Sequence, residues 1–114
     1  MEKLVRDRVP EIMRQAGKPG KFEILTGKRY LNALRAKLCE EAAEVATAET
    51  SEELIAELAD LLEVMETLVA AADLDWRAIR TQQSRKRRDR GGFAGGILLA
   101  RMPAITEGSP ARTP

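Results

Sequence analysis

The stretch from Lys37 to Glu66 constrains this chain more than any other. It reads KLCEEAAEVATAETSEELIAELADLLEVME, two amphipathic helical runs that meet at a turn near Thr50 and Ser51. The first run carries Glu40, Glu41 and Glu44, and the second carries Glu57 and Asp60. Residues three or four apart share one helix face, with Cβ atoms about 5–6 Å apart. Thr50 followed three residues later by Glu53 reads as a capping box and so marks a helix start. Folding the two runs back about that point sets Glu41 opposite Asp60 and Glu44 opposite Glu57. Four carboxylates then converge on one patch.

Like charges held close repel one another, and burial raises the cost. A cation relieves both. Hard divalent ions such as Mg²⁺ take oxygen ligands and share substrate phosphates, and they polarise phosphoryl oxygens and activate water. Spacing alone favours a plain solvated face, as on most charged helices. Leu38, Val45, Leu54, Leu58, Leu61, Leu62 and Met65 surround the acids, however, and put the patch beside an expected core.

The acids stand as Glu40-Glu41-x-x-Glu44 and Glu57-x-x-Asp60. This resembles the EExxE…ExxD signature of the MazG-like all-α nucleoside triphosphate pyrophosphohydrolases, a superfamily that includes the phosphoribosyl-ATP pyrophosphohydrolases. The opening Lys3-Leu4-Val5-Arg6-Asp7-Arg8-Val9-Pro10-Glu11-Ile12 is similar to the KLVRDKIPEI start of a small single-domain branch, with Arg8 where that branch often has Lys. Arg90-Gly91-Gly92-Phe93, with Lys86 ahead of it, resembles the closing motif of the same branch. The three motifs run in order and cover roughly residues 3–100.

The resemblance implies a Mg²⁺-dependent enzyme, with Mn²⁺ as a substitute, that cleaves the α–β phosphate bond of a nucleotide. A monophosphate and pyrophosphate are the products. Glu41, Glu44, Glu57 and Asp60 would hold the metal. Lys86 and Arg90 would bind phosphate and offset charge on the leaving group, with Lys37, Lys3 and Arg6 as further substrate contacts. Glu40 and Glu41 are the candidate catalytic acids. Glu40 points about 100° away from Glu41 on an ideal helix, so it is open to three roles: an outer-shell orienter, a base, or a contact to another subunit. House-cleaning of modified nucleotides and the phosphoribosyl-ATP step of histidine biosynthesis need the same acids. The opening motif tilts the reading towards the former. A reading of another class is a non-catalytic helical module that binds nucleic acid through its basic run.

At 114 residues, with 44% hydrophobic and 32% charged residues, the chain reads as one soluble globular domain. The expected domain spans 1–102, and residues 103–114, rich in Pro, Gly, Ser, Thr and Ala, read as a disordered tail. A net charge of +1 argues against a surface given over to nucleic acid. The basic run Arg85-Lys86-Arg87-Arg88-Asp89-Arg90 lacks interleaved aromatics for stacking on bases. The lone Cys39 excludes an internal disulfide and reads as a small buried apolar residue, with no histidine in the chain to activate it. No stretch approaches the roughly 20 apolar residues of a membrane span, and the charged start does not read as a signal peptide. Cytoplasmic residence is the expectation.

Along the chain, Pro10 fits the first turn of a helix from Arg8 to Ala16, and Gly17 stops it. Asp7 is a candidate partner for the neighbouring arginines. Residues 22–25 and 96–100 read as short extended segments or strands. Long helices follow over roughly 28–49 and 51–72, and another begins near Trp76, capped by Asp73 or Asp75. Phe93 is expected to anchor the turn after it. The apolar positions from Leu54 to Val69 are wider than one stripe, so this helix should meet more than one neighbour. Glu63 and Glu66 read as solvated surface. The expected fold is all-α, a helical bundle built on an antiparallel acidic hairpin and assembled as a homodimer or homotetramer.

Overall fold

The computed structural model describes residues 2–103. The described chain is all-α: α1 (Val9–Gln15), α2 (Gly27–Thr47), α3 (Ser51–Ala71) and α4 (Trp76–Arg90). Residues 22–25 and 96–100 are neither helix nor strand. Most of the expected tail, from residue 104 onward, lies outside the described residues. Two compact units emerge, one ending at Ile79 and the other beginning at Arg80.

The first unit is organised by the α2–α3 hairpin. The Thr50 side chain accepts a hydrogen bond from the Glu53 backbone N–H at 3.1 Å, and Glu53 Oε2 accepts one from the Glu49 N–H at 3.1 Å. This is the reciprocal cap that the sequence announces, shifted by one residue on the return bond. Two helices end in a Schellman motif. At α1, the Lys18 N–H bonds to the Met13 carbonyl at 2.9 Å, and Gly17 takes the left-handed position with φ 75°. At α3, the Leu74 N–H bonds to the Val69 carbonyl at 2.9 Å, and the left-handed residue is Asp73, with φ 57°. Asp75 caps α4 instead, its Oδ1 accepting from the Arg77 N–H at 2.9 Å. The two aspartates thus divide the work: one ends a helix and the other starts the next.

The core is small. Leu34 on α2 is 1% exposed, and Val69 on α3 is also buried. Leu38, Val45 and Leu61 are half-buried, whereas Leu54, Leu58, Leu62 and Met65 are exposed. The expectation that all seven surround the acids as core is corrected for those four. The α3 helix packs on α2 along one stripe, and the rest of its wide apolar surface faces outward. Cys39 is likewise exposed rather than buried. It sits one residue after Leu38, about 100° round the helix from it, and so turns off the packed stripe.

The second unit comprises the remainder of α4 and the segment after it. The last turn of α4 carries Arg87, Arg88 and Arg90, where cations complement the helix dipole. Gly91, with φ 82°, provides the left-handed residue that follows. Phe93 is 98% exposed and so does not anchor this turn. Among the described residues no helix is long and apolar enough to cross a membrane.

Two substitutions test these helix ends. Thr50→Ala removes the cap of α3 and should cost about 1 kcal/mol in denaturant unfolding. Asp73→Gly relieves a left-handed residue and should stabilise the chain by about 0.5–1 kcal/mol in the same assay.

Candidate metal centre

The hairpin brings Glu41 of α2 together with Glu57 and Asp60 of α3, with one carboxylate oxygen of each within 4.8 Å of the others. Glu40, Glu41 and Glu44 form a second such group on α2, joined to the first through Glu41. The expected register therefore holds: helix ends set where the chain turns, and the turn decides which acids face.

Burial differs across the group. Glu41 is only 5% exposed, Glu57 and Asp60 are half-buried, and Glu44 is open to solvent. Lys37 Nζ lies 3.3 Å from Glu41 Oε1 and 3.3 Å from Glu40 Oε1. Burial by itself would lower the Lys37 pKa, but the hydrogen bonds to Glu40 and Glu41 outweigh it and the pKa is raised. Lys37 therefore stays charged. The Glu44 pKa is also raised, first through its hydrogen bonding with Glu57 and then through desolvation and the Glu57 charge.

The oxygens Glu41 Oε2 and Glu57 Oε2 are buried without a hydrogen-bond partner. Orphaned buried carboxylate oxygens are expensive. Two of them in a compact all-oxygen donor set fit a hard divalent cation, which takes such ligands and removes their repulsion.

Beside Glu41 and Asp60 runs a cleft of about 420 Å³, lined by the segment Lys3–Asp7 and also by Tyr30 and Lys37. Arg6 Nη2 donates to Asp60 Oδ1 at 2.6 Å. That bond raises the Arg6 pKa, with the Asp60 charge as the next cause. Arg8 pairs with Glu11 at 3.7 Å, so neither arginine takes the expected partner Asp7. Of the five cations expected to contact substrate, Lys3, Arg6 and Lys37 line the cleft. Lys86 and Arg90 are exposed on α4 in the second unit.

Sequence reasoning passed over Tyr30, Glu63 and Thr67 as cleft residues. Glu63 and Thr67 follow Asp60 at helical spacing along α3, and that spacing was the available signal. Glu63 is exposed, as expected, yet its charge also reaches Arg6.

A sequence model described as phosphoribosyl-ATP pyrophosphohydrolase matches residues 12–87, which hold all five acids. The chain belongs to this family. With it comes membership of the MazG-like all-α superfamily. An uncharacterized protein from Mycolicibacterium smegmatis (strain ATCC 700084 / mc(2)155) is 46% identical over 50 residues, 44% of this chain and 51% of that protein. The chain thus spans about half the length of that relative. No solved structure matches it. The family match includes Lys37 and Lys86, whereas Lys3, Arg6 and Arg90 lie outside it.

Proton linkage gives this family member a testable signature. Glu44 binds its proton more tightly in the folded chain than in the unfolded one. Its stabilising contribution is full below the ordinary value of 4.5 and is lost as pH rises through the raised pKa. In metal-free buffer the wild type should lose stability relative to Glu44→Gln as pH rises across that window, read by urea denaturation. A constant difference between the two proteins over about pH 4–7 would contradict the Glu44–Glu57 pairing.

Proposed function

We propose that the chain is a Mg²⁺-dependent nucleoside triphosphate pyrophosphohydrolase that releases a nucleoside monophosphate and pyrophosphate. The observation that carries this reading is the pair of unpartnered buried oxygens on Glu41 and Glu57, grouped with Asp60, where Glu41 and Asp60 line a cleft that also holds Lys3, Arg6 and Lys37. Family membership supports the pyrophosphohydrolase part of this reading.

In this reading Glu41, Glu44, Glu57 and Asp60 hold the metal. A divalent ion bound there would supply charge neutralisation for the phosphates and a lowered pKa for water. Lys37 orients Glu41 and Glu40, because its ammonium lies 3.3 Å from one oxygen of each. Glu40, half-buried at the edge of the group, is assigned as the candidate base, with Glu41 given to the metal. Lys3 and Arg6 meet phosphates from the amino-terminal side of the cleft. Lys86 and Arg90 are assigned to the leaving pyrophosphate on the strength of the motifs around them.

The exposed apolar face of α3, with Leu54, Ile55, Leu58, Leu62 and Met65, supports assembly as a homodimer or homotetramer. Residues 1–102 are read as the working domain, and its place of work as the cytoplasm. The family description favours a second reading, phosphoribosyl-ATP as the substrate.

The test is pyrophosphate release from a panel of standard and modified nucleoside triphosphates plus phosphoribosyl-ATP, with and without Mg²⁺. Metal-dependent release of pyrophosphate with a monophosphate co-product is expected, and the panel names the substrate. Asp60→Asn should lower turnover about 100-fold or more while helicity by circular dichroism is kept. Unchanged turnover in that variant overturns the assignment. Salt-sensitive binding to any nucleic acid, with no pyrophosphate release, would favour the binding-module reading instead.

A further inference from the structure

Two cations touch the acid group, and they differ in how they are held. Lys37 reaches Glu41 from one turn away on the same helix, and its side chain is only 18% exposed. It leaves Glu41 Oε2 unpaired and available. Arg6 comes from 54 residues away, on a stretch before α1 that is not helical. Its side chain is 62% exposed and that of Asp60 is 39% exposed, yet the bond between them is short at 2.6 Å. The charges of Glu63 and Glu41 add to its attraction to the cleft.

Lys37 is thus built into the hairpin, while Arg6 is tethered at the rim. A guanidinium on Asp60 and a divalent ion shared by Asp60, Glu57 and Glu41 compete for the same carboxylate. They also repel each other at close range.

We propose that Arg6 is an exchangeable cation. It occupies Asp60 while the metal is absent, and a divalent ion displaces it, freeing the guanidinium in the cleft, where it can meet an anionic phosphate. This rests on the metal-binding part of the proposed function but not on turnover. Leu4 and Val5, both half-buried, keep the segment in place when the guanidinium lets go. The exchange is therefore a local swing of one side chain. A brace would behave in the opposite way, because removing it would loosen the acids and weaken metal binding.

The experiment is calorimetric titration of the full chain with Mn²⁺ and with Mg²⁺, comparing wild type, Arg6→Met and Arg6→Lys. Arg6→Met keeps an apolar stem but removes the competing charge, and should bind either ion about three- to tenfold more tightly. Arg6→Lys should stay near wild type. Equal or weaker binding by folded Arg6→Met overturns the proposal. A second measurement needs no variant: the Arg6 side-chain N–H signal of the wild type, followed by NMR through a Mg²⁺ titration. It should move to the position of a free arginine at saturation, and a signal that does not move overturns the exchange. If both ions bind as expected but no nucleotide is hydrolysed, the enzymatic reading fails and the exchange stands. If neither ion binds to any of the three proteins, both fall.

Discussion

Glu41 is the residue on which the rest of the structure depends. A carboxylate 5% exposed is costly to keep charged without a cation. Lys37 meets half of that need by sitting on one oxygen, and the other oxygen is left bare. Glu57 adds a second bare oxygen from the opposite helix. The hairpin holds these groups together against their own repulsion, and it can do so because its geometry is fixed elsewhere. The cap at Thr50 sets where α3 starts, and Leu34 and Val69 pack the interior. Under the proposed reading, this repulsion is the cost of preorganised ligands, and a bound metal would supply the missing charge.

This division explains what was legible in the sequence. The acid spacing and the Thr50–Glu53 cap are local rules, and together they fix the register of α2 against α3. The facing of Glu41 with Asp60 and of Glu44 with Glu57 therefore follows from residues within one short stretch. Arg6 on Asp60 was not legible. The partners are 54 residues apart, and the segment that carries Arg6 has no regular structure to give it a face. A sequence reader looks for the nearest acid and finds Asp7. Asp73 and Asp75 were ambiguous for another reason: aspartate serves both as a helix cap and, more rarely, in the left-handed position. Only the backbone distinguishes the two uses.

Averages concealed a further feature. A net charge of +1 reads as neutral, but residues 80–114 hold eight of the 19 Lys and Arg and only two of the 18 Asp and Glu. The amino-terminal part is acidic and the carboxy-terminal part basic. Apolar residues are segregated in the same way. Leu34 and Val69 are buried, while α3 and the segment around Phe93 and Ile97 present large apolar side chains to solvent. A chain of this length has limited interior to offer. Apolar residues beyond what one stripe of α2–α3 packing can cover are left outside, so hydrophobicity alone could not separate core from surface here. The expectation of a core around all the acids failed on that point, at Leu54, Leu58, Leu62 and Met65.

The gradient of burial across the acids gives the site a direction. Glu44 is open to solvent, Asp60 and Glu57 are half-buried, and Glu41 lies deepest. For a cation arriving from solvent, exposed carboxylates are the first to meet it, and they do so while both partners are still largely hydrated and the interaction is weak. Under the proposed metal reading, the strong contacts would come at Glu41 and Glu57, whose buried, unpartnered oxygens would gain most from a ligand. Affinity would then be concentrated at the inner acids and access at the outer ones. A basic side chain at the rim would then be able to regulate entry without touching the inner acids, whereas one at Glu41 would have to stay permanently. Arg6 and Lys37 stand in those two places, and their contrasting exposure, 62% against 18%, fits the exchange proposed above.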